Sequence, residues 1–298
     1  MRRLQMGMWH ELNRESWERY RTDALNGLEI CLYENEARLA ELQTFCEERG
    51  LRFGVHGPIL NGRDGYKLPR LNSPDASERR EAMKQVESEA ELASRYGADY
   101  VLYHYPFYPI FQPPIRKPFA KLPDASVRYG YDRLPRAAFR DISERLFYEL
   151  AELQRRRKQR ILLEHDFFGD YEDIVVDMFA RHPDIRLVVD TARLDVTKRA
   201  FGGFDPYEWL DKLAPSVYLV HYSNVRYEGD TFKHHLPVRE AHDEDDDCGD
   251  AYRYLRYLAE RNNGFHITFE HNPELVRRDE LAAIYARAAD ACGIPANR

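Results

Sequence analysis

Eight short runs of strand-favouring residues recur along the chain: LQMGMW (4–9), LEICLY (28–33), LRFGVH (51–56), DYVLYH (99–104), RILLEH (160–165), IRLVVD (185–190), VYLVHY (217–222) and FHITFE (265–270). Longer amphipathic stretches separate them, among them ENEARLAELQTFCEERG, SERREAMKQVESEAELASRYG, ISERLFYELAELQRRRKQ and DAYRYLRYLAERNNG. Such alternation is the pattern of repeated βα units with parallel strands, not that of a sandwich or a bundle. Eight units predict an α/β fold, a closed (β/α)8 TIM barrel forming one domain over residues 1–298, a length that suits a fold of about 250 residues plus insertions. Three of the helices close on Gly50, Gly97 and Gly264, where a left-handed C-terminal cap is expected before the next strand. The final stretch, ELAAIYARAADACG, supplies the helix that packs beside the first and closes the ring.

Six of these strands end in a residue able to bind a metal: His56, His104, Glu164, Asp190, His221 and Glu270. A lone histidine at a strand end is more often a hydrogen-bonded structural residue, and a lone Asp190 could be a helix N-cap at a βα turn. The set changes the reading, because a parallel barrel gathers the carboxyl ends of its strands around one cavity. Like carboxylates cannot all stay ionised in a dry cavity, so Glu164, Asp190 and Glu270 together call for a divalent cation. Side chains alternate along a strand, so Glu164 and His165 cannot both point inward, nor can Glu270 and His271. The carboxylates are assigned to the interior; His165 and His271 are then expected to support the ligands from behind or to pack.

One segment breaks the rhythm: about residues 106–135 are dense in proline and aromatics, which excludes regular helix or central strand. Following a strand's carboxyl end, this insertion is expected to lie over the barrel mouth as a lid or substrate wall, or else to cover a barrel edge or subunit contact. Trp9, Tyr103, Tyr105 and Phe107 could stack on a sugar ring there, or simply pack.

Composition narrows the functional classes. A hydrophobic share of 43% with 32% charged residues is that of a globular protein, and neither a 20-residue apolar span nor a signal region is evident, so a cytoplasmic location with no membrane partner is expected. The net charge of −7 gives no general pull toward nucleic acid. The four cysteines are scattered without a CxxC pair, as reduced thiols would be. There is no GxGxxG, Walker loop, GxSxG or HExxH. GFDPYEW and HDEDDDCGD read as helix N-terminal regions, with their acidic residues at the positive end of the dipole.

The ordered segments FGVHGPI, LYHYP, ILLEHD, VVDTARLD, LVHYSN, HHLPV and TFEHNP resemble those of the xylose isomerase-like barrels, a superfamily of sugar isomerases, ketose 3-epimerases, inosose dehydratases and endonuclease IV, over nearly the whole chain. The resemblance implies a metal held by Glu164, Asp190, His221 and Glu270, with Glu164 and Glu270 also transferring protons. It matches His56 and His104 to endonuclease IV histidines that add a second metal. It also exposes a departure: where that nuclease has a third-zinc histidine, three residues after the aspartate, stands Arg193, a cation that repels a metal. The downstream Asp-x-His pair is broken as well, because His235 is preceded by Lys233 and the register through His234 meets Phe232.

The reading is therefore a metal-dependent isomerase or epimerase of a sugar, cyclitol or related hydroxy-ketone, using one divalent ion, or two. Mixed nitrogen and oxygen ligands suit manganese, cobalt, zinc or iron. His56, His104, His235 and Arg193 are held as candidates for a second metal or for substrate binding. Its partner is a small carbohydrate-like molecule rather than nucleic acid, and a homo-oligomer is compatible with the sequence. The alternatives are an endonuclease IV-like phosphodiester hydrolase with a reduced metal set and a barrel that has lost catalysis.

Overall fold

The computed structural model describes residues 2–62, 68–106, 134–169, 171–201 and 203–294. Eight parallel strands close into a barrel: β1 (Leu4–Trp9), β2 (Gly27–Cys31), β3 (Arg52–His56), β4 (Val101–Tyr105), β5 (Ile161–His165), β6 (Arg186–Asp190), β7 (Val217–Tyr222) and β10 (His266–Phe269). Each pairs with its neighbours in chain order, and β10 closes the ring against β1. The sequence expectation of a (β/α)8 barrel is met. The proposed insertion falls almost wholly on 107–133, outside the described residues.

Local chemistry sets the helices between the strands. Asn35 Oδ1 accepts the Arg38 amide at 3.1 Å to start α2 (Glu36–Arg49), and Gly50, at φ 63°, turns the chain left-handed into β3. Asp75 caps α3 (Ala76–Arg95), after which Gly97 has φ 72°. Asp205 caps α7 (Pro206–Leu213), with proline in its first turn, as GFDPYEW suggested. Gly264 departs from expectation. The helix before it, α8 (Ala251–Ala259), ends earlier, and Asn262 builds the turn by donating to the carbonyls of Ala214 and Val217 while its Oδ1 accepts the Gly264 amide. Helix α4 (Arg136–Arg157) begins before the expected Ile142, and α9 (Arg278–Ala291) closes the ring.

An antiparallel hairpin, β8 (Asn224–Glu228) and β9 (Thr231–Leu236), rises from the end of β7 and was not expected. Its signal was present: Gly229-Asp230 is a two-residue turn between paired Glu228 and Thr231, with Gly229 at φ 63°. Asp195 on α6 (Thr191–Ala200) anchors it, accepting from the hydroxyls of Tyr227 at 2.7 Å and Tyr254 at 2.8 Å.

The core has two parts. Between strands and helices runs a continuous apolar layer, while Tyr100, Leu102, Leu162, Val188 and Leu219 fill the barrel itself. That inner plug makes the lower barrel a packed solid and leaves the polar chemistry above it. The four cysteines are free thiols, and among the described residues no helix is long and apolar enough to cross a membrane.

Candidate metal centre and active site

Strand register brings the expected residues to one end of the barrel. His104 on β4 pairs with Glu164 on β5, Asp190 on β6 pairs with His221 on β7, and Glu270 follows the last residue of β10. Glu164 and His221 are fully enclosed. The alternation argument holds at both ambiguous pairs. His165 turns outward, its Nε2 donating to the Asp190 carbonyl at 3.2 Å and its ring 5.0 Å from Trp209; His271 packs beside Phe269 and Tyr285. Burial pushes both imidazoles down to about 4, so they are neutral packing groups.

Glu164 is the hinge of the arrangement, because its two oxygens face different groups. Oε1 lies 3.4 Å from His221 Nδ1 and accepts from Arg193 Nη1 at 2.7 Å; Oε2 lies 3.3 Å from His56 Nε2 and 3.7 Å from His104 Nε2. Glu270 Oε1 is 3.2 Å from the same His221 Nδ1. Two clusters emerge whose ligand atoms lie within 4.8 Å of one another: His56, His104 and Glu164, and Glu29, His221 and Glu270. His56 Nδ1 donates to the Gly57 carbonyl at 3.0 Å, which leaves Nε2 to face the carboxylate.

Asp190 stands differently from the expectation of a simple ligand. Its Oδ1 caps α6 by accepting the amides of Ala192 and Arg193 at 2.8 and 3.0 Å, while Oδ2 faces Arg193 Nη2 at 3.8 Å. Arg193 therefore sits among the carboxylates, bonded also to the His165 carbonyl at 2.8 Å and facing Asp166 at 3.9 Å. His235, on the hairpin with φ 54°, belongs to neither cluster; its carbonyl accepts the Asn272 amide at 2.9 Å. Lys233 pairs with Glu228 on the exposed hairpin edge.

The aromatic expectations divide. Trp9 meets His56 edge-on at 6.2 Å. Tyr103 and Tyr105 point away from the mouth, since their hydroxyls donate to Glu89 on α3 and Ser143 on α4. Alternation explains this: His104 between them is the inward residue. Phe107 lies outside the described residues.

Two acidic residues escaped the sequence reading. Asp166 lies 3.4 Å from His104 Nδ1. Glu29, completely buried in β2, lies 3.1 Å from His221 Nε2. Each carried a signal: Asp166 ends the run ILLEHD, and a carboxylate between Leu28 and Ile30 must face the barrel interior if those two face the helices.

The electrostatics follow from this crowding. Burial alone pushes Glu164 up, but the charges of Arg193, His104 and His221 outweigh it and hold the carboxyl well below its usual range. Glu270 moves the other way, raised by burial and by Glu164, Asp190 and Glu29 despite the opposing charge of His221. The donor set fits a divalent cation: His221 Nδ1 and Glu164 Oε2 are buried without a hydrogen-bond partner, each beside other ligand-type atoms.

Known structures of the same architecture place this chain in context. It superposes on a D-tagatose 3-epimerase-like protein with 14% identity and a TM-score of 0.62, covering 97% of this chain and 98% of that one. The Escherichia coli 3-keto-D-glucoside 4-epimerase YcjR gives 13% identity, a TM-score of 0.58 and coverage of 95% and 100%. The IOLI protein, solved with a zinc atom bound, gives 14%, 0.59 and 98% of each chain. The sequence finds no match among functionally curated proteins. A family profile described as xylose isomerase-like TIM barrel matches residues 17–288, and by that match over most of its length the chain belongs to the xylose isomerase-like TIM barrel family.

Proposed function

We propose that this protein is a metal-dependent isomerase or epimerase of a sugar, cyclitol or related hydroxy-ketone, working by proton transfer beside a polarised carbonyl. The observation that carries the reading is the meeting of Glu164 and Glu270 at an unpartnered, buried His221 Nδ1, at 3.4 and 3.2 Å. Glu164, Asp190, His221 and Glu270 would hold the ion; zinc, manganese, cobalt or iron suit such a nitrogen and oxygen set. When bound, the ion supplies Lewis acidity that makes the proton beside the substrate carbonyl easier to remove.

The side chains divide the remaining work. Burial and acidic neighbours raise the Glu270 carboxyl in the metal-free site, and beside the ion it would be the group that accepts the carbon-bound proton. Glu164 is kept ionised by Arg193 and acts from its own side of His221. His56 and His104 stand beside Glu164 Oε2 and would orient substrate hydroxyls, with Trp9 edge-on to His56. The family membership and the epimerase neighbours support a small carbohydrate-like substrate.

A second reading, metal-dependent phosphodiester hydrolysis, draws on the cluster of His56, His104 and Glu164. Arg193 counts against it, because its guanidinium is bonded to Glu164 where a further metal ligand would be needed. Metal analysis followed by a screen of ketoses and cyclitols in deuterated water separates the readings. Wash-in of deuterium beside the carbonyl, lost in Glu164→Gln and Glu270→Gln, is expected. A protein that takes up no divalent ion, or Gln variants with undiminished turnover, would overturn the proposal.

A further inference from the structure

Glu29 is completely buried, and its carboxylate meets three polar side chains, those of Tyr100, Thr268 and His221. Its Oε2 accepts from the Tyr100 hydroxyl and from Thr268 Oγ1 at 3.3 Å, while Gln5 Nε2 donates to both of those hydroxyls, at 2.6 and 3.0 Å. His221 Nε2 lies 3.1 Å from Oε1 and 3.3 Å from Oε2. The room for this network is made by Gly54 on β3: a Cβ there would come within 2.0 Å of the Tyr100 ring, which instead crosses the barrel to reach Glu29. Gln5, Glu29, Gly54, His221 and Thr268 come from five different strands, so the network is fixed by the barrel itself rather than by a mobile loop.

The two nitrogens of His221 consequently face opposite environments. Nδ1 looks toward Glu164 and Glu270 and has no hydrogen-bond partner, whereas Nε2 looks toward Glu29. Thr268, the register partner of His221 on β10, holds the Glu29 carboxylate from the side. An imidazole that ligates a metal through one nitrogen ordinarily donates its other N–H to a carboxylate or carbonyl, which fixes tautomer and ring orientation and raises ligand basicity.

We propose that Glu29 is a positioning residue for the metal centre: it accepts the Nε2 proton of His221 and so presents Nδ1, unprotonated and correctly aimed, to the ion. The inference rests on the reading of His221 as a ligand. It assigns a function to a buried carboxylate that the proton-transfer chemistry does not use. It also distinguishes Glu29 from a fifth direct ligand, although its oxygen lies within 4.8 Å of the ligand atoms of His221 and Glu270; Tyr100 and Thr268 already occupy Oε2 and hold the carboxylate on the Nε2 side.

The test compares wild type with Glu29→Gln, which keeps an oxygen acceptor but removes the charge. Cobalt affinity is read by competition with a chelator, coordination by the visible d–d bands, and His221 in the zinc-loaded wild type by ¹⁵N-histidine NMR. The expected result is an affinity lower by about 10- to 100-fold with d–d bands unchanged in position, as for loss of an outer partner. In the wild type, zinc should sit on Nδ1 with a retained, downfield Nε2 proton. Equal affinity in the variant overturns the inference, as do bands altered toward a lower ligand number, or zinc on Nε2. The NMR result decides the matter even where Glu29→Gln does not fold. A wild type that binds neither cobalt nor zinc sinks the reading of the site, and this inference with it, whereas tight wild-type binding matched by the variant sinks the inference alone.

Discussion

Replacing Arg193 by Met should destabilise the metal-free protein strongly and the metal-loaded protein much less. The guanidinium bonds Glu164 Oε1 at 2.7 Å and lies within 3.8 and 3.9 Å of Asp190 and Asp166, with four-fifths of its side chain buried. At an effective dielectric of about 20, one such pair about 4 Å apart is worth about 4 kcal/mol. Removing one partner of a buried pair costs about 3–5 kcal/mol, because the other charge is left uncompensated. A divalent ion addressed to the same carboxylates would restore much of that balance, and it would no longer be opposed by the arginine's positive charge. The variant should therefore bind metal at least about tenfold more tightly, which adds about 1.4 kcal/mol of stability at saturation. Urea unfolding of both proteins, with chelator and with saturating zinc, measures the four free energies. Equal losses with and without metal would refute the reasoning, since Arg193 and the ion would then not share the same negative charge.

Three further outcomes are expected. Asp190→Ala should lose metal and also about 1 kcal/mol of stability, because Oδ1 caps α6 with two hydrogen bonds; full stoichiometric metal in that variant would remove Asp190 from the ligand set. His266, whose Nδ1 accepts the Arg3 amide at 3.0 Å, is pushed down to about 4 by burial and by Arg160 and Arg2, from 6.5 when exposed. Because its folded value is depressed, the unfolded chain binds the extra proton, so its contribution of at most about 3 kcal/mol is present above 6.5 and lost as pH falls toward 4. His266→Asn should flatten the stability–pH curve across that window, and parallel urea-denaturation curves would contradict it. Zinc-loaded protein should leave an abasic DNA duplex intact; rapid incision abolished by Glu164→Gln would favour the hydrolase instead.

The barrel was legible because its strands carry the signal in short apolar runs that the surrounding helices bury from one side and the interior from the other. VYLVHY and LQMGMW coincide with β7 and β1 to the residue. Where strand ends shifted, a backbone cause is visible at β2, which stops at Cys31 because Leu32 turns left-handed at φ 57°. Convergence of Glu164, His221, Glu270, His56 and His104 was legible for the same reason: a closed parallel ring fixes where strand ends go, whatever the loops do. Their ligand roles were carried by resemblance, and the metal titrations above bear on them directly.

What stayed hidden depends on contacts between side chains that no single segment contains. Arg193 reads in sequence as a cation that excludes a third metal, yet only the turn from β6 into α6 brings its guanidinium onto Glu164. Gly54 looks like a weak point in a strand, and its purpose becomes visible once Tyr100, 46 positions later in the sequence, fills the missing side chain's volume. Glu29 follows from the same logic taken one layer down. Alternation alone puts it inside the barrel, where an ionised carboxylate is costly unless partnered, so the sequence poses the question of what holds it. The answer needs Gln5, Tyr100, His221 and Thr268 together, residues spread over the whole chain and joined by the closure of β10 on β1. On the proposed reading, the metal centre is specified at two depths: strand ends would supply the ligand atoms, and the layer beneath them would decide which nitrogen of His221 is offered.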